Sequence, residues 1–241
     1  MLVRLKIRRY QPETSEEPYY QSFQVDVPEK ATVLDSLLEV RDYLDGTLNL
    51  RASCRSAICG SCGMRINGVS RLACKTLVVD VAPRGGEITI EPLANLPVIK
   101  DLVADMDPFW RKWREVTPWL VTDGEEEKPV REHLMSNKLA IYLTQFAGCI
   151  ACGVCYSACP IVAIDDEYIG PAAMAKALRY SYDPRDHGKR QRLARLAEEQ
   201  GLWRCHTIFS CAEQCPKRVN PTEAIQQLKK MVILARLGLA R

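Results

Sequence analysis

Eleven cysteines fall into three groups along the 241 residues of this chain. Cys54, Cys59, Cys62 and Cys74 are spaced C-x4-C-x2-C-x11-C. Cys149, Cys152, Cys155 and Cys159, followed by Pro160, are spaced C-x2-C-x2-C-x3-C-P. Cys205, Cys211 and Cys215, followed by Pro216, are spaced C-x5-C-x3-C-P. An odd number of cysteines cannot close as intramolecular disulfides alone, and thiols grouped this tightly suit metal ligation in a reducing compartment. Each group needs a loop that gathers its thiols, and the remaining chain must hold those loops in place.

The length allows two ordinary domains, each with its own core. An apolar content of 47% and a charged content of 26% are those of a globular protein. The start, Met1 to Ile7, alternates apolar with basic residues and lacks the continuous apolar core of a signal peptide. A cytoplasmic protein is expected. Leu139 to Ile164 holds no charged side chain, long enough to suggest a membrane span. Its four ligand-spaced cysteines, two glycines and one proline argue against a spanning helix, so any membrane anchor must come from other chains. Residues 176–241 carry 14 basic and 6 acidic side chains. Such a surplus can meet an anionic lipid surface or an acidic partner; solvated helix faces are the competing reading. No nucleic-acid partner is expected.

Alternating patterns predict strands over 2–10 and 20–27. Thr32 with Asp35 resembles a capping pair, so a helix is expected from 33 to near Gly46. Short strands are expected at 63–67, 71–80 and 86–91, with turns at Asn67-Gly68 and Gly85-Gly86. Later periodicity predicts helices near 98–106, 130–147, 171–181, 188–199 and 221–236, the last with Asn220 as cap and Pro221 in its first turn. The acidic run Asp123 to Glu127 reads as an exposed loop. The fold class is α+β: a β-grasp plant-type ferredoxin domain over 1–95, then an all-helical bacterial-ferredoxin-like domain over 96–241.

The first spacing is that of plant-type 2Fe–2S ferredoxins, and the second that of bacterial cubane ferredoxins. Cys54, Cys59, Cys62 and Cys74 are therefore candidate 2Fe–2S ligands, with Gly60 and Gly63 letting backbone amides approach the sulfides. A structural zinc site is the competing reading, although its usual frame is two C-x2-4-C pairs. In two-cluster ferredoxins the fourth cysteine of each run ligates the other cluster. On that rule Cys149, Cys152, Cys155 and Cys215 hold a 4Fe–4S cluster. Cys159, Cys205 and Cys211 hold the other. A complete third run would have cysteine at 208, where Ile208 stands. Three thiolates suit a 3Fe–4S cluster; a 4Fe–4S cluster with an exogenous ligand is the alternative.

Taken with segments beyond the cysteines, the three groups resemble the iron–sulfur subunit of succinate dehydrogenase and fumarate reductase. The segments are Cys54 to Gly63, Pro97 to Val103, Ile169-Gly170-Pro171-Ala172, Arg204-Cys205-His206 and Cys215-Pro216-Lys217. The resemblance spans nearly the whole chain. It implies a separate flavoprotein subunit that oxidises succinate on covalently bound FAD. It implies electrons passing singly through the 2Fe–2S, 4Fe–4S and 3Fe–4S clusters to a quinone. It implies membrane-anchor subunits, which can carry haem b, and a place on the cytoplasmic face of the cell membrane. Pro160, His206, Ile208 and Lys229 are then candidate quinone-side residues. His206 can exchange a proton there or merely hydrogen-bond nearby, and Lys229 can equally be an exposed lysine of the last helix.

Many ubiquinone-linked members carry a tryptophan shortly after the fourth cysteine of the middle group. Here the run is Cys159-Pro160-Ile161-Val162-Ala163-Ile164. With Gly170 to Ala173 and Arg185 to Lys189 it leans toward the menaquinone-linked, fumarate reductase branch, while His206 leans the other way. The chain lacks a G-x-G-x-x-G fingerprint, as expected if the flavin lies elsewhere. Fumarate reduction by the same subunit, and an electron-transfer subunit of another dehydrogenase, such as one serving glycolate or heterodisulfide, are the alternatives.

Overall fold

The computed structural model describes residues 1–14, 17–122 and 132–239. The acidic run at 123–127 lies outside them. The chain divides into two compact units: Met1–Pro108 with Ile150–Ala158, and Phe109–Cys149 with Cys159–Arg241.

The first unit is built on strand alternation. In β1 (Leu2–Arg9) every second side chain from Val3 to Arg9 is buried. It pairs antiparallel with β2 (Tyr19–Asp26), from Leu2 opposite Asp26 to Arg9 opposite Tyr19. Thr32 then starts α1 (Val33–Glu39): its hydroxyl accepts from the Asp35 amide, and the Asp35 carboxylate accepts from the Thr32 amide. These reciprocal bonds satisfy two amides the helix leaves unpaired. The helix widens into a π turn, Val40–Leu44, and stops at Asp45.

Next comes the hairpin of β3 (Gly63–Ile66) and β4 (Val69–Leu72). Asn67 and Gly68 between them have φ of 50° and 77°, the primed turn that matches strand twist. Where a strand was expected over 71–80, the chain leaves the sheet after Leu72. It makes a 3-10 turn at Ala73–Lys75 and the short helix α2 (Val78–Val81). Backbone bonds from Val33 to Thr76 and from Val78 to Ala31 tie this stretch to the start of α1 instead. β5 (Gly86–Glu91) lies parallel to β1 and antiparallel to β3, giving the order β2-β1-β5-β3-β4. Leu5, Ile7, Met64, Ile66, Ile88 and Ile90 are fully buried in this sheet.

The expected helix near 98–106 is instead a hairpin, β6 (Val98–Lys100) and β7 (Val103–Ala104). Asp101 turns the corner with φ of 45°. Its buried carboxylate accepts from Arg9 Nε at 3.0 Å, the Tyr10 amide at 3.0 Å and the Asn49 amide at 2.9 Å. Arg9, equally buried, also donates to Asp45 at 2.7 Å and Thr47 at 2.8 Å. A buried charge demands such partners, and this outweighs weak local helix propensity.

From α3 (Asp107–Glu115) onward, regular structure among the described residues is helical. α4 (Asn137–Ala147) is capped by Ser136; of the expected 130–147, residues 132–136 are not helical and 130–131 lie outside the described residues. The segment that rejoins the first unit holds α5 (Val154–Ser157). There Ser157 Oγ lies 2.7 Å from Ser70 Oγ and accepts from the Ala94 amide. α6 (Pro160–Ile164), α7 (Pro171–Ser181), α8 (Lys189–Leu196), α9 (Ser210–Glu213) and α10 (Pro221–Arg236) complete the second unit. Asn220 Oδ1 accepts from the Glu223 amide at 3.0 Å, as its capping role predicts. α7 and α10 pack together, with Met174, Ala177, Leu178, Ala224 and Leu228 all buried. Buried Arg192 on α8 pairs with Asp186 and donates to the carbonyls of Val116, Thr117 and Trp119.

Candidate metal centres

None of the eleven cysteines closes a disulfide. Around the first group the backbone is shaped to point amides at sulfur. Arg55, Ala57 and Gly60 adopt φ of 53°, 54° and 77°. The amides of Ser56, Ile58 and Cys59 donate to Cys54 Sγ at 3.4, 3.3 and 3.2 Å, and that of Ala57 to Cys74 Sγ at 3.3 Å. Donors aimed at ligand sulfurs stabilise added negative charge on a cluster. The four thiols differ in setting. Cys62 and Cys74 are buried, whereas Cys59 is exposed. The Ser61 hydroxyl, 3.1 Å from Cys59 Sγ, helps pull that thiol down to about 6, while burial pushes Cys62 up to about 12.

The glycines of this loop do more than admit amides. A Cβ on Gly60 would stand 2.7 Å from Cys152 Cβ, and one on Gly63 would stand 3.0 Å from the Cys152 carbonyl oxygen. The first loop and the Cys152 segment, both in the first unit, are in van der Waals contact through these positions. No pattern in the sequence announces this contact.

The second and third groups share a backbone plan. Ala151 and Gly153, two and four residues after Cys149, are left-handed with φ of 54° and 76°. Thr207 and Phe209, two and four residues after Cys205, are left-handed with φ of 60° and 69°. In each group a four-residue helix follows at once, α5 carrying Cys155 and α9 carrying Cys211. Cys159 and Cys215 each stand ten residues beyond the first cysteine, and each is followed by proline. Within this repeat Ile208 occupies the place that Cys152 occupies in the other. A β-branched residue has been set into a loop built for a ligand.

Cys159, Cys205 and Cys211 line one cavity in the second unit together with Pro160, Tyr168, His206 and Ile208. The Thr207 amide donates to Cys205 Sγ at 3.4 Å, and Cys211 Sγ lies 3.3 Å from Thr222 Oγ1. Burial holds the Cys211 thiol up at about 11 and raises Cys159 as well, so a metal taken up here would have to displace their protons. Tyr168, which sequence reasoning passed over, is buried in the lining; burial and then the three neighbouring thiolates raise its hydroxyl.

Ile208 is 51% exposed, so the apolar corner lies at the surface of this chain rather than in its interior. Pro160 and His206 are exposed too. With exposed Phe209, which lines the same cavity, they form a rim that is apolar apart from the histidine. Lys229 is half-buried, not a free surface lysine: its Nζ donates to the Cys205 carbonyl at 3.1 Å and lies over the Trp203 ring. Of the remaining candidate ligands, Cys152 and Cys155 belong to the first unit, and Cys149 and Cys215 to the second.

Among the described residues no group of three or more His, Cys, Asp or Glu could hold a single metal ion. The donor sets are all thiol, and amides donate to Cys54, Cys74 and Cys205, as an iron–sulfur core favours.

Family models agree. One, a 2Fe-2S iron-sulfur cluster binding domain, matches residues 4–111, and another, a 4Fe-4S dicluster domain, matches residues 145–219. A fumarate reductase iron-sulfur subunit from Mycobacterium tuberculosis is 43% identical over 225 residues, 93% of this chain and 90% of its own. The chain belongs to the iron–sulfur subunit family of succinate dehydrogenases and fumarate reductases. The fumarate reductase iron-sulfur subunit of Haemophilus influenzae is 38% identical, over 95% of this chain and 92% of its own. In the solved Mycobacterium smegmatis Sdh1 complex in the apo form, one chain superposes with a TM-score of 0.86 at 25% identity, covering 98% of this chain and 96% of that one. These matches make the chain an iron–sulfur, electron-transfer member of an oxidoreductase family. They also account for the ferredoxin-like sheet followed by helices. No helix among the described residues is long and apolar enough to cross a membrane; the uncharged stretch 139–164 is divided among α4, α5 and α6.

Proposed function

We propose that this chain is the electron relay of a membrane-bound succinate:quinone oxidoreductase. Its clusters, when bound, each accept and pass one electron. Cys54, Cys59, Cys62 and Cys74 hold the 2Fe–2S cluster; Cys149, Cys152, Cys155 and Cys215 the 4Fe–4S cluster; Cys159, Cys205 and Cys211 the 3Fe–4S cluster. The division into a first module over 1–95 and a second over 96–241 follows the same grouping. The observation that carries the reading is the backbone repeat in which Ile208 replaces a ligand.

The contact of Gly60 and Gly63 with the Cys152 segment supports direct passage from the first centre to the second. The exposed rim of Pro160, Ile208 and Phe209, with His206 and Lys229 beside it, supports a quinone pocket completed by membrane-anchor subunits, which can carry haem b. FAD belongs to a partner flavoprotein, and the complex sits on the cytoplasmic face of the membrane. Menaquinone is the favoured acceptor, because no tryptophan follows Cys159. Fumarate reduction is the second reading, favoured by the names of the curated relatives.

Electron paramagnetic resonance with iron and sulfide analysis of the anaerobically purified complex tests the assignment. The expected result is three centres and about nine iron atoms per chain. About ten iron atoms without an oxidised 3Fe–4S signal would refute it.

A further inference from the structure

A groove of about 700 Å³ lies between α8 and α10 in the second unit. It shares no lining residue with the cavity of Cys159, Cys205 and Cys211. Leu193, Ala194 and Val232 contribute apolar surface to it, and Lys189, Arg190 and Arg236 contribute cations. None of the described residues lining it is acidic. Those three cations have no ion pair among the described residues, whereas Arg192 and Arg195 on the same helix are both paired. The end of α10 and the residues after it also expose Ile233, Leu237 and Leu239, the last two at 64% and 65%.

Cations left unpaired beside an apolar trough call for a ligand that is both anionic and apolar. Inorganic phosphate would use the cations and leave the trough in water. A zwitterionic lipid would use the trough and leave the cations unbalanced. Exposed apolar side chains beside unpaired cations suit an anionic lipid surface, which takes up both. We infer that the groove between α8 and α10 binds an anionic phospholipid, its acyl chain on Leu193, Ala194 and Val232 and its phosphate among Lys189, Arg190 and Arg236.

The test uses the full cluster-loaded chain and phosphatidylcholine vesicles with or without phosphatidylglycerol. Co-sedimentation is expected only with the anionic vesicles, weakening as salt rises. The triple variant K189Q/R190Q/R236Q should lower partitioning about a hundredfold, about five-fold per charge removed. Ala194→Trp, at an exposed position, fills the trough without changing charge and should also abolish the preference. Equal binding to neutral vesicles, or full binding by A194W, overturns the inference. So does shielding of Lys189 from amine acetylation in the assembled complex after lipid removal, which would assign the groove to a protein segment. Iron content and cluster spectra read on the same samples should not change, so this outcome is separable from the cluster assignment.

Discussion

Replacing Gly60 with alanine isolates the contact that joins the first cysteine loop to the second. Two costs arise. Gly60 has φ of 77°, and a left-handed backbone costs a non-glycine residue about 1–2 kcal/mol. The new methyl would also stand 2.7 Å from Cys152 Cβ, a distance that real carbons do not keep, so the segment must shift. Overpacking of this kind costs about 1–3 kcal/mol. Gly68 supplies the control: its φ is also 77°, but an added Cβ would meet only the tip of Arg65, 3.9 Å away. Gly68→Ala should therefore carry the backbone cost alone. At about 2–4 °C per kcal/mol for a chain of this size, G60A should melt about 2–12 °C below G68A under anaerobic conditions. The shift also moves Cys152, so G60A should broaden or lose the 4Fe–4S resonance while G68A leaves it unchanged. Equal melting points and identical spectra for the two variants would refute the reasoning.

Ile208→Cys restores the missing ligand of the third group; the oxidised 3Fe–4S resonance should disappear and iron rise by about one atom per chain. Persistence of that resonance would break the crossing assignment. Ser61→Ala removes the hydroxyl beside Cys59, a loss of about 1 kcal/mol. That should lower the 2Fe–2S midpoint potential by about 40 mV in a redox titration. Arg9→Met leaves Asp101 buried without its guanidinium and should cost about 3–5 kcal/mol in urea unfolding. The same network sets an acid limit. The Thr47 hydroxyl and Arg9 hold Asp45 down to about 2, below its ordinary 3.8. Its stabilisation is complete above pH 4 and is lost as pH falls through 2. Stability measured across that window should fall less steeply in R9M than in the wild-type chain.

The elements that could be read ahead are those whose causes are local. Thr32 with Asp35 and Asn220 with Pro221 begin helices where their cap chemistry says. Asn67-Gly68 makes the turn its positive φ preference demands. The stretches misread are those whose partners lie far along the chain. Val98 to Ala104 looked helical until Asp101 met Arg9 and Asn49. Residues 73–80 looked like strand, but the hydrogen bonds of Thr76 and Val78 go to the start of α1. Gly60 and Gly63 could be seen to free the backbone, but not that Cys152 would press against them.

Cysteine spacing by itself determined what kinds of centre the chain can hold, because metal ligation fixes how many residues separate consecutive thiolates. It also showed that one ligand of the third run is missing. Only the tertiary structure decided what surrounds those thiols. It put the Ala57 amide on Cys74, placed Cys159 in one cavity with Cys205 and Cys211, and brought Ile208 to an open apolar rim. Spacing acts over a few bonds of one chain; burial, contact and exposure arise when segments far apart in sequence exclude water together.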